Sequence, residues 1–162
     1  MSVQPLSEAE KCQRLSETQL CLGLTSDDLV TLASRLREVT IPAGKNFIEH
    51  DSCTNQVFVI LEGQVEVAIP LVGNRGQTVL AKLGRGETVG EFALIREARR
   101  AASSRALTEL KVLVTESDDL MKLFEVHPRI GYLVFRNLSR IIVDRLVDTN
   151  MAVRNVMSQM SL

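Results

Sequence analysis

At 162 residues the chain suits one domain of ordinary size, and its 19 basic and 20 acidic side chains leave a formal charge of −1. That balance gives no global attraction to nucleic acid or to an anionic membrane, and the length leaves little room for a second, catalytic domain. Aromatics make up only 4% of the residues against 45% hydrophobic overall, so the core must be built mainly from Val, Leu and Ile. No apolar run approaches the ~20 residues that span a bilayer, and the opening MSVQPLSEAEKC lacks the apolar centre of a signal peptide. The cytoplasm is the expected address. Cys12, Cys21 and Cys53 are odd in number and have no CxxC spacing, which suits reduced thiols.

In chain order, Ser7 can cap a short helix whose first turn holds Glu8 and Glu10, with Ala9, Cys12 and Leu15 on its buried side. Leu20, Leu22 and Leu24 lead to Thr25-Ser26-Asp27-Asp28, a cap for a second helix in which Leu29, Leu32, Ala33 and Leu36 recur at helical spacing. From 37 to 116 the pattern becomes short strand-like runs, at 37–41, 46–49, 57–61, 64–70, 76–82, 102–107 and 110–115. Turns fall at Pro42-Ala43-Gly44, Asp51 to Asn55, Glu62-Gly63 and Gly73-Asn74. Val65, Val67 and Ile69 alternate with polar or small neighbours in the two-residue period of a half-buried strand. Many short strands so spaced predict a sandwich or barrel.

The stretch from Gly84 to Ser104 stands apart. It sets a lone acid, Glu91, between Gly90 and the apolar run Phe92-Ala93-Leu94-Ile95, then supplies Arg99 and Arg100 just before Ala101-Ala102-Ser103-Ser104. Gly86 and Gly90 permit positive φ, and free amides at the start of a short apolar turn can face an anion, so the stretch reads as a phosphate site. After it, Ser117 is placed to cap a helix reaching about Phe124, and His127-Pro128 marks a break and a restart. Ile130, Leu133, Val134, Leu138, Ile141, Ile142, Arg145, Leu146, Thr149, Val153 and Val156 then trace a long amphipathic stripe. No glycine or proline interrupts 132 to 162, giving a helix well beyond the ~12-residue average.

With these elements placed, the chain resembles the cyclic-nucleotide-binding domain family, found in the bacterial catabolite activator protein, regulatory subunits of cyclic-AMP-dependent kinase and nucleotide-gated channels. The residues that carry the resemblance are Gly90-Glu91-Phe92-Ala93-Leu94 followed by Arg100-Ala101-Ala102-Ser103, with Pro42-Ala43-Gly44, Glu62-Gly63-Gln64-Val65 and His127-Pro128 in family order. The resemblance implies an α+β fold, a jelly-roll-like antiparallel β-barrel (37–116, with a phosphate-binding cassette at 84–104). N-terminal helices (about 7–36) and two C-terminal helices (117–162), the last one long, flank that barrel within one domain, 1–162. It also implies that Glu91 accepts a hydrogen bond from the ribose 2′-hydroxyl and that Arg100 pairs with the cyclic phosphate, chemistry that suits a carboxylate and a guanidinium fork. Gly90, Phe92, Ala93 and Ala102 belong to the same cassette. In the family a Thr after the phosphate arginine is associated with cyclic GMP, so Ala101 leans the reading toward cyclic AMP. Val79 and Leu80 are candidates to touch the base, and Tyr132, Phe135 and Arg136 candidate lids. The family often has Gly where this chain has Asp51 and Pro where it has Arg99; neither change removes a ligand contact.

The only histidines, His50 and His127, lie on different elements, so neither a metal centre nor a Ser-His-Asp arrangement is expected, and no catalytic residue is assigned. After the long helix only Met151 to Leu162 remain, too few for a helix-turn-helix unit. The expectation is a stand-alone sensor without direct DNA binding. Its output would pass through the terminal helices to a dimer partner or a separate effector, with Leu138, Ile141, Arg145, Thr149, Val153 and Val156 as the pairing face. The alternative is a structural or protein-interaction module with a vestigial pocket, in which Glu91 and Arg100 form only an internal salt bridge.

Overall fold

The computed structural model describes residues 5–73 and 75–161. The first four residues, Asn74 of the expected turn and Leu162 lie outside them.

Local chemistry starts each N-terminal helix where the sequence places it. Helix α1 (Glu8–Ser16) and helix α2 (Ser26–Ala33) both begin with a full capping box: Ser7 with Glu10, and Thr25 with Asp28. A single 3-10 turn, Gln19–Cys21, lies between them and buries Leu20 and Cys21. Eight strands follow: β1 (Arg37–Ile41), β2 (Asn46–Ile48), β3 (Gln56–Glu62), β4 (Val65–Pro70), β5 (Gln77–Leu83), β6 (Thr88–Val89), β7 (Ser103–Ala106) and β8 (Leu110–Glu116). Helices α3 (Ser117–Val126) and α4 (Pro128–Met160) close the order. Pro128 starts α4 at a position where its missing N–H costs nothing. Ser117 does not cap α3 as expected: it is the first helical residue, and Glu116 stands at the cap without a side-chain bond.

The expected closed barrel does not form. The strands make two separate four-stranded antiparallel sheets, in orders β1-β8-β3-β6 and β2-β7-β4-β5. Closure would need hydrogen bonding from one sheet's edge to the other's. At one edge β6 is only two residues long, because Gly90 takes φ 79° and turns the chain out of the ladder straight after Val89. Near the other sheet's edge, Asp51 takes φ 64° soon after β2 ends. Period-two alternation is common to a closed barrel and to two packed sheets, so the pattern alone could not separate them.

The inner faces share one apolar cluster, to which Phe58, Ile60 and Val112 contribute from the first sheet and Ile48, Val65 and Ala106 from the second. A second cluster covers the outer face of the first sheet, where Val57, Val59, Leu61 and Leu113 meet Leu15, Leu32, Leu123, Val134 and Leu138 of the helices. Strand β3 is therefore buried on both faces from Val57 to Leu61, each side chain contributing roughly 1.5–3 kcal/mol of transfer free energy. The neat alternation expected of β4 is broken: the register slips between Val67 and Ala68, and Ala68 rather than Val67 or Ile69 is buried.

Helix α4 is seated by its first three turns. Ile130, Gly131, Leu133, Val134, Asn137 and Leu138 are buried, and nothing beyond them is fully so. The expected pairing face is corrected accordingly. Leu138 is wholly buried in the chain's own core, Ile141 packs against that core, and Arg145 is held by Glu91. Thr149, Val153 and Val156 alone of that set are exposed. No helix among the described residues is long and apolar enough to cross a membrane.

Candidate functional site

The site is built where β6 ends. Val89 pairs with Phe58 of β3, and Gly90 then swings the chain into a 3-10 turn, Glu91–Leu94. A Cβ on Gly90 would stand 2.6 Å from the Gln56 carbonyl oxygen and 2.9 Å from Arg100 Nη1. Positive φ and this close approach together admit only glycine. The turn buries Glu91 and Leu94 and leaves Phe92 about half exposed. The Ala93 N–H bonds the Gly90 carbonyl at 3.2 Å, so that amide is already used within the turn.

Arg100 enters from the far end of the connection. Its main chain is clamped to the turn after β2, its N–H bonding Ser52 O at 2.9 Å and its carbonyl accepting from Asp51 N–H at 2.8 Å. Its side chain is buried, with Nε donating to Thr54 Oγ1 at 3.0 Å, Nη1 to Gly90 O at 3.0 Å and Nη2 to Gln56 O at 2.6 Å. Three of the five guanidinium N–H groups are thus fixed on protein oxygens, and one on each terminal nitrogen carries no bond to the described residues. Such a fork is oriented before any anion arrives. Arg99 instead lies on the surface, bonding Asp51 O at 2.7 Å.

Glu91 is 4% exposed and meets a partner from far along the chain. Arg145 of α4 donates through Nη1 to Glu91 Oε1 and through Nη2 to Thr88 O at 2.8 Å. Burial pushes the Glu91 carboxyl above its ordinary value; the Arg145 charge, its own backbone N–H and Arg100 pull it back down. The two guanidinium charges thus partly offset the burial that favours the carboxyl's proton. Arg145 is also the last side chain of α4 that holds the sheets, since residues 146–160 are all exposed.

Gly90, Glu91 and Arg100 are thus brought together, with Phe92, Ala93, Ala101 and Ala102 on the same connection, Phe92 and Ala101 exposed. Val79 and Leu80 lie on the edge strand β5, each about half exposed. Tyr132, Phe135 and Arg136 sit roughly two and a half to three and a half turns before Arg145 on α4. Phe135 packs edge-on to Phe124 with ring centroids 5.7 Å apart, and Arg136 lies 5.8 Å over the exposed Tyr132 ring. Thr54, Gln56, Thr88 and Arg145 were not among the expected site residues. Three of these act through a main-chain oxygen or a hydroxyl in loop or strand, which no side-chain motif announces. Arg145 did leave a signal: it is the one charged member of a stripe on α4 that is apolar but for Arg145 and Thr149.

Two packed sheets between helices, with a buried acid and a buried arginine on one short connection, define a ligand-binding regulatory module. The described residues hold no group of three or more His, Cys, Asp or Glu placed to bind a metal. The model of the cyclic nucleotide-binding domain matches residues 38–127, more than half of the sequence. The chain belongs to the cyclic nucleotide-binding domain family. Among curated relatives, it is similar to glutaminase 1 of Bradyrhizobium diazoefficiens, 29% identical over 138 residues that make up 84% of this chain and 21% of that protein. It is also similar to the cyclic AMP receptor protein of Thermus thermophilus, 26% identical over 80% of this chain and 57% of that one. The chain therefore spans from about a fifth to just over half of the length of these relatives. A solved cyclic nucleotide-binding domain from Methylobacillus flagellatus shares the fold, with a TM-score of 0.80 over 91% of this chain and 83% of that one at 22% identity.

Proposed function

We propose that this domain, residues 1–162, is a cyclic-nucleotide sensor that binds cyclic AMP in preference to cyclic GMP and signals through α4. Glu91 accepts the ribose 2′-hydroxyl and Arg100 holds the cyclic phosphate with its two remaining N–H groups. The observation that carries this reading is the preoriented Arg100 fork, buried with an acid on a connection that only glycine can start. Ala101 presents a methyl group where a hydroxyl would be needed to reach a guanine amino group. The Arg145–Glu91 pair joins the ribose end of the site to α4. A ligand that alters Glu91 therefore alters what holds the helix, and binding biases α4 toward one of two arrangements according to its affinity for each.

Calorimetric titration with cyclic AMP and cyclic GMP tests this directly. Saturable binding, tighter for cyclic AMP and lost in Arg100→Ala, is the expected result. Equal heats in the parent and the variant would sink the assignment of Arg100. A second reading, an interaction module with a vestigial pocket, draws on one specific observation: Glu91 and Arg100 both have protein partners already. It predicts no binding of either nucleotide.

A further inference from the structure

Of the three oxygens that hold the Arg100 guanidinium, two are main-chain carbonyls, those of Gly90 and Gln56, and only the Thr54 hydroxyl on Nε belongs to a side chain. The loop that carries Thr54 is fixed to Arg100 on both sides, through the Arg100 N–H on Ser52 O and the Asp51 N–H on Arg100 O. Arg99 closes it further by donating from Nη1 to Asp51 O at 2.7 Å. The Thr54 hydroxyl leads on to a second one. Ser52 Oγ donates to Glu49 O at 2.7 Å, which commits its single hydrogen, so the 3.4 Å contact between the Ser52 and Thr54 hydroxyls is donated by Thr54. Thr54 is thereby left with lone pairs for the Arg100 Nε–H. The hydrogen bonds run one way, from Arg100 through Thr54 and Ser52 to the Glu49 carbonyl.

We propose that Thr54 and Ser52 are positioning residues for phosphate recognition, a chain of two hydroxyls that aims the Arg100 fork and sets ligand affinity through it. The inference rests on the reading of Arg100 as the partner of the cyclic phosphate. Nε lies nearest the pivot of the guanidinium, so an acceptor there stops the plane from turning about the bonds behind it. The two remaining N–H groups then keep one direction. A cyclic phosphodiester rewards that direction, because a planar fork meets two phosphate oxygens together only when it is aligned with them. Without the Thr54 acceptor the positive charge stays in place, but the fork can rock on its two carbonyl contacts. Charge attracts the ligand, and alignment decides how tightly it is held. Thr54 is exposed and Ser52 half-buried, so both can be altered without opening the core.

The test uses the full chain and two measurements. Thr54→Val keeps the shape and removes the hydroxyl, Thr54→Ser keeps the hydroxyl, and Ser52→Ala removes only the second link. Cys53→Ala, an exposed side chain between them, is the control. Without nucleotide, the NMR signal of the Arg100 Nε–H, assigned by its absence in Arg100→Lys, should exchange slowly with water in the parent, Thr54→Ser and Cys53→Ala. It should exchange faster in Ser52→Ala and disappear in Thr54→Val. Calorimetry with cyclic AMP should then show binding weakened about fivefold in Thr54→Val and about twofold in Ser52→Ala, with Thr54→Ser restoring the parent's affinity. Slow exchange that persists in Thr54→Val overturns the chain of hydroxyls. Loss of the signal with unchanged affinity overturns the positioning role and leaves the sensor reading intact. A parent that binds neither nucleotide rejects the sensor reading and the positioning role with it, while the exchange rates still decide whether the hydroxyls fix Arg100.

Discussion

Glu91 is an expensive residue to keep, since a carboxyl almost wholly removed from water favours its proton. Between the ordinary carboxylate value and its raised one, the native state binds more protons at Glu91 than the unfolded chain does. Stability from this group therefore falls as pH rises through that window, the reverse of the usual salt-bridged acid. Glu91→Gln is expected to flatten this part of the curve of melting temperature against pH. Arg145 is the largest influence lowering the Glu91 value, so Arg145→Met should raise it further and move the acid limb of cyclic-nucleotide affinity to higher pH. An unchanged limb would mean that Arg145 does not tune the acid. Gly90 is the other sensitive position. Gly90→Ala combines left-handed strain of order 1–3 kcal/mol with a clash against the Gln56 carbonyl and Arg100, so chemical denaturation should show the loss and binding should fall with it. Arg100→Ala also frees the Gly90 and Gln56 carbonyls, and its expected cost of about 1–3 kcal/mol belongs to the fold as well as to the ligand.

The elements differ in what their sequences announce. Capping boxes at Ser7 and Thr25 and the proline at the start of α4 act within one helical turn, so they were legible by spacing alone. The β4 slip was not, because a bulge is decided by the neighbours a strand pairs with, here β5 and β7. Helix α4 is bolted to the domain by a residue no stripe reveals: buried Asn137, whose Nδ2 donates to Leu20 O at 3.0 Å and Leu22 O at 2.8 Å. Asn137→Leu is expected to strand those carbonyls and cost about 1–3 kcal/mol, a fall of roughly 3–10 °C in thermal scans. A change within a degree would show that water replaces the amide freely. The apolar stripe of α4 was visible, but which of its faces meets the chain's own sheets was not. A helix apolar on two sides offers either side to the core until the sheets are in place.

At the scale of the molecule, the two clusters on either side of the first sheet join the helices to the cassette, so a ligand in the cassette should stabilise the whole. With cyclic AMP at a hundredfold its dissociation constant, linkage gives about 2.7 kcal/mol and a rise of roughly 5–10 °C for a chain of this size. Differential scanning fluorimetry with and without nucleotide reads this out, and no shift at any concentration favours the vestigial-pocket reading. The sequence by itself determined the four α-helices and seven of the eight strands in order, though not the two-residue β6, and with them the family and the placing of an acid and an arginine on one connection. These depend on short-range periodicity, caps and the few residue types able to do the chemistry. Only the tertiary structure decided that the strands stop as two sheets rather than closing, that Thr54 and Gln56 orient Arg100, and that Arg145 reaches Glu91 while Val143 to Met160 face outward. Those outcomes depend on edges, main-chain oxygens and helix rotation, which are set by groups distant in sequence and leave no local pattern.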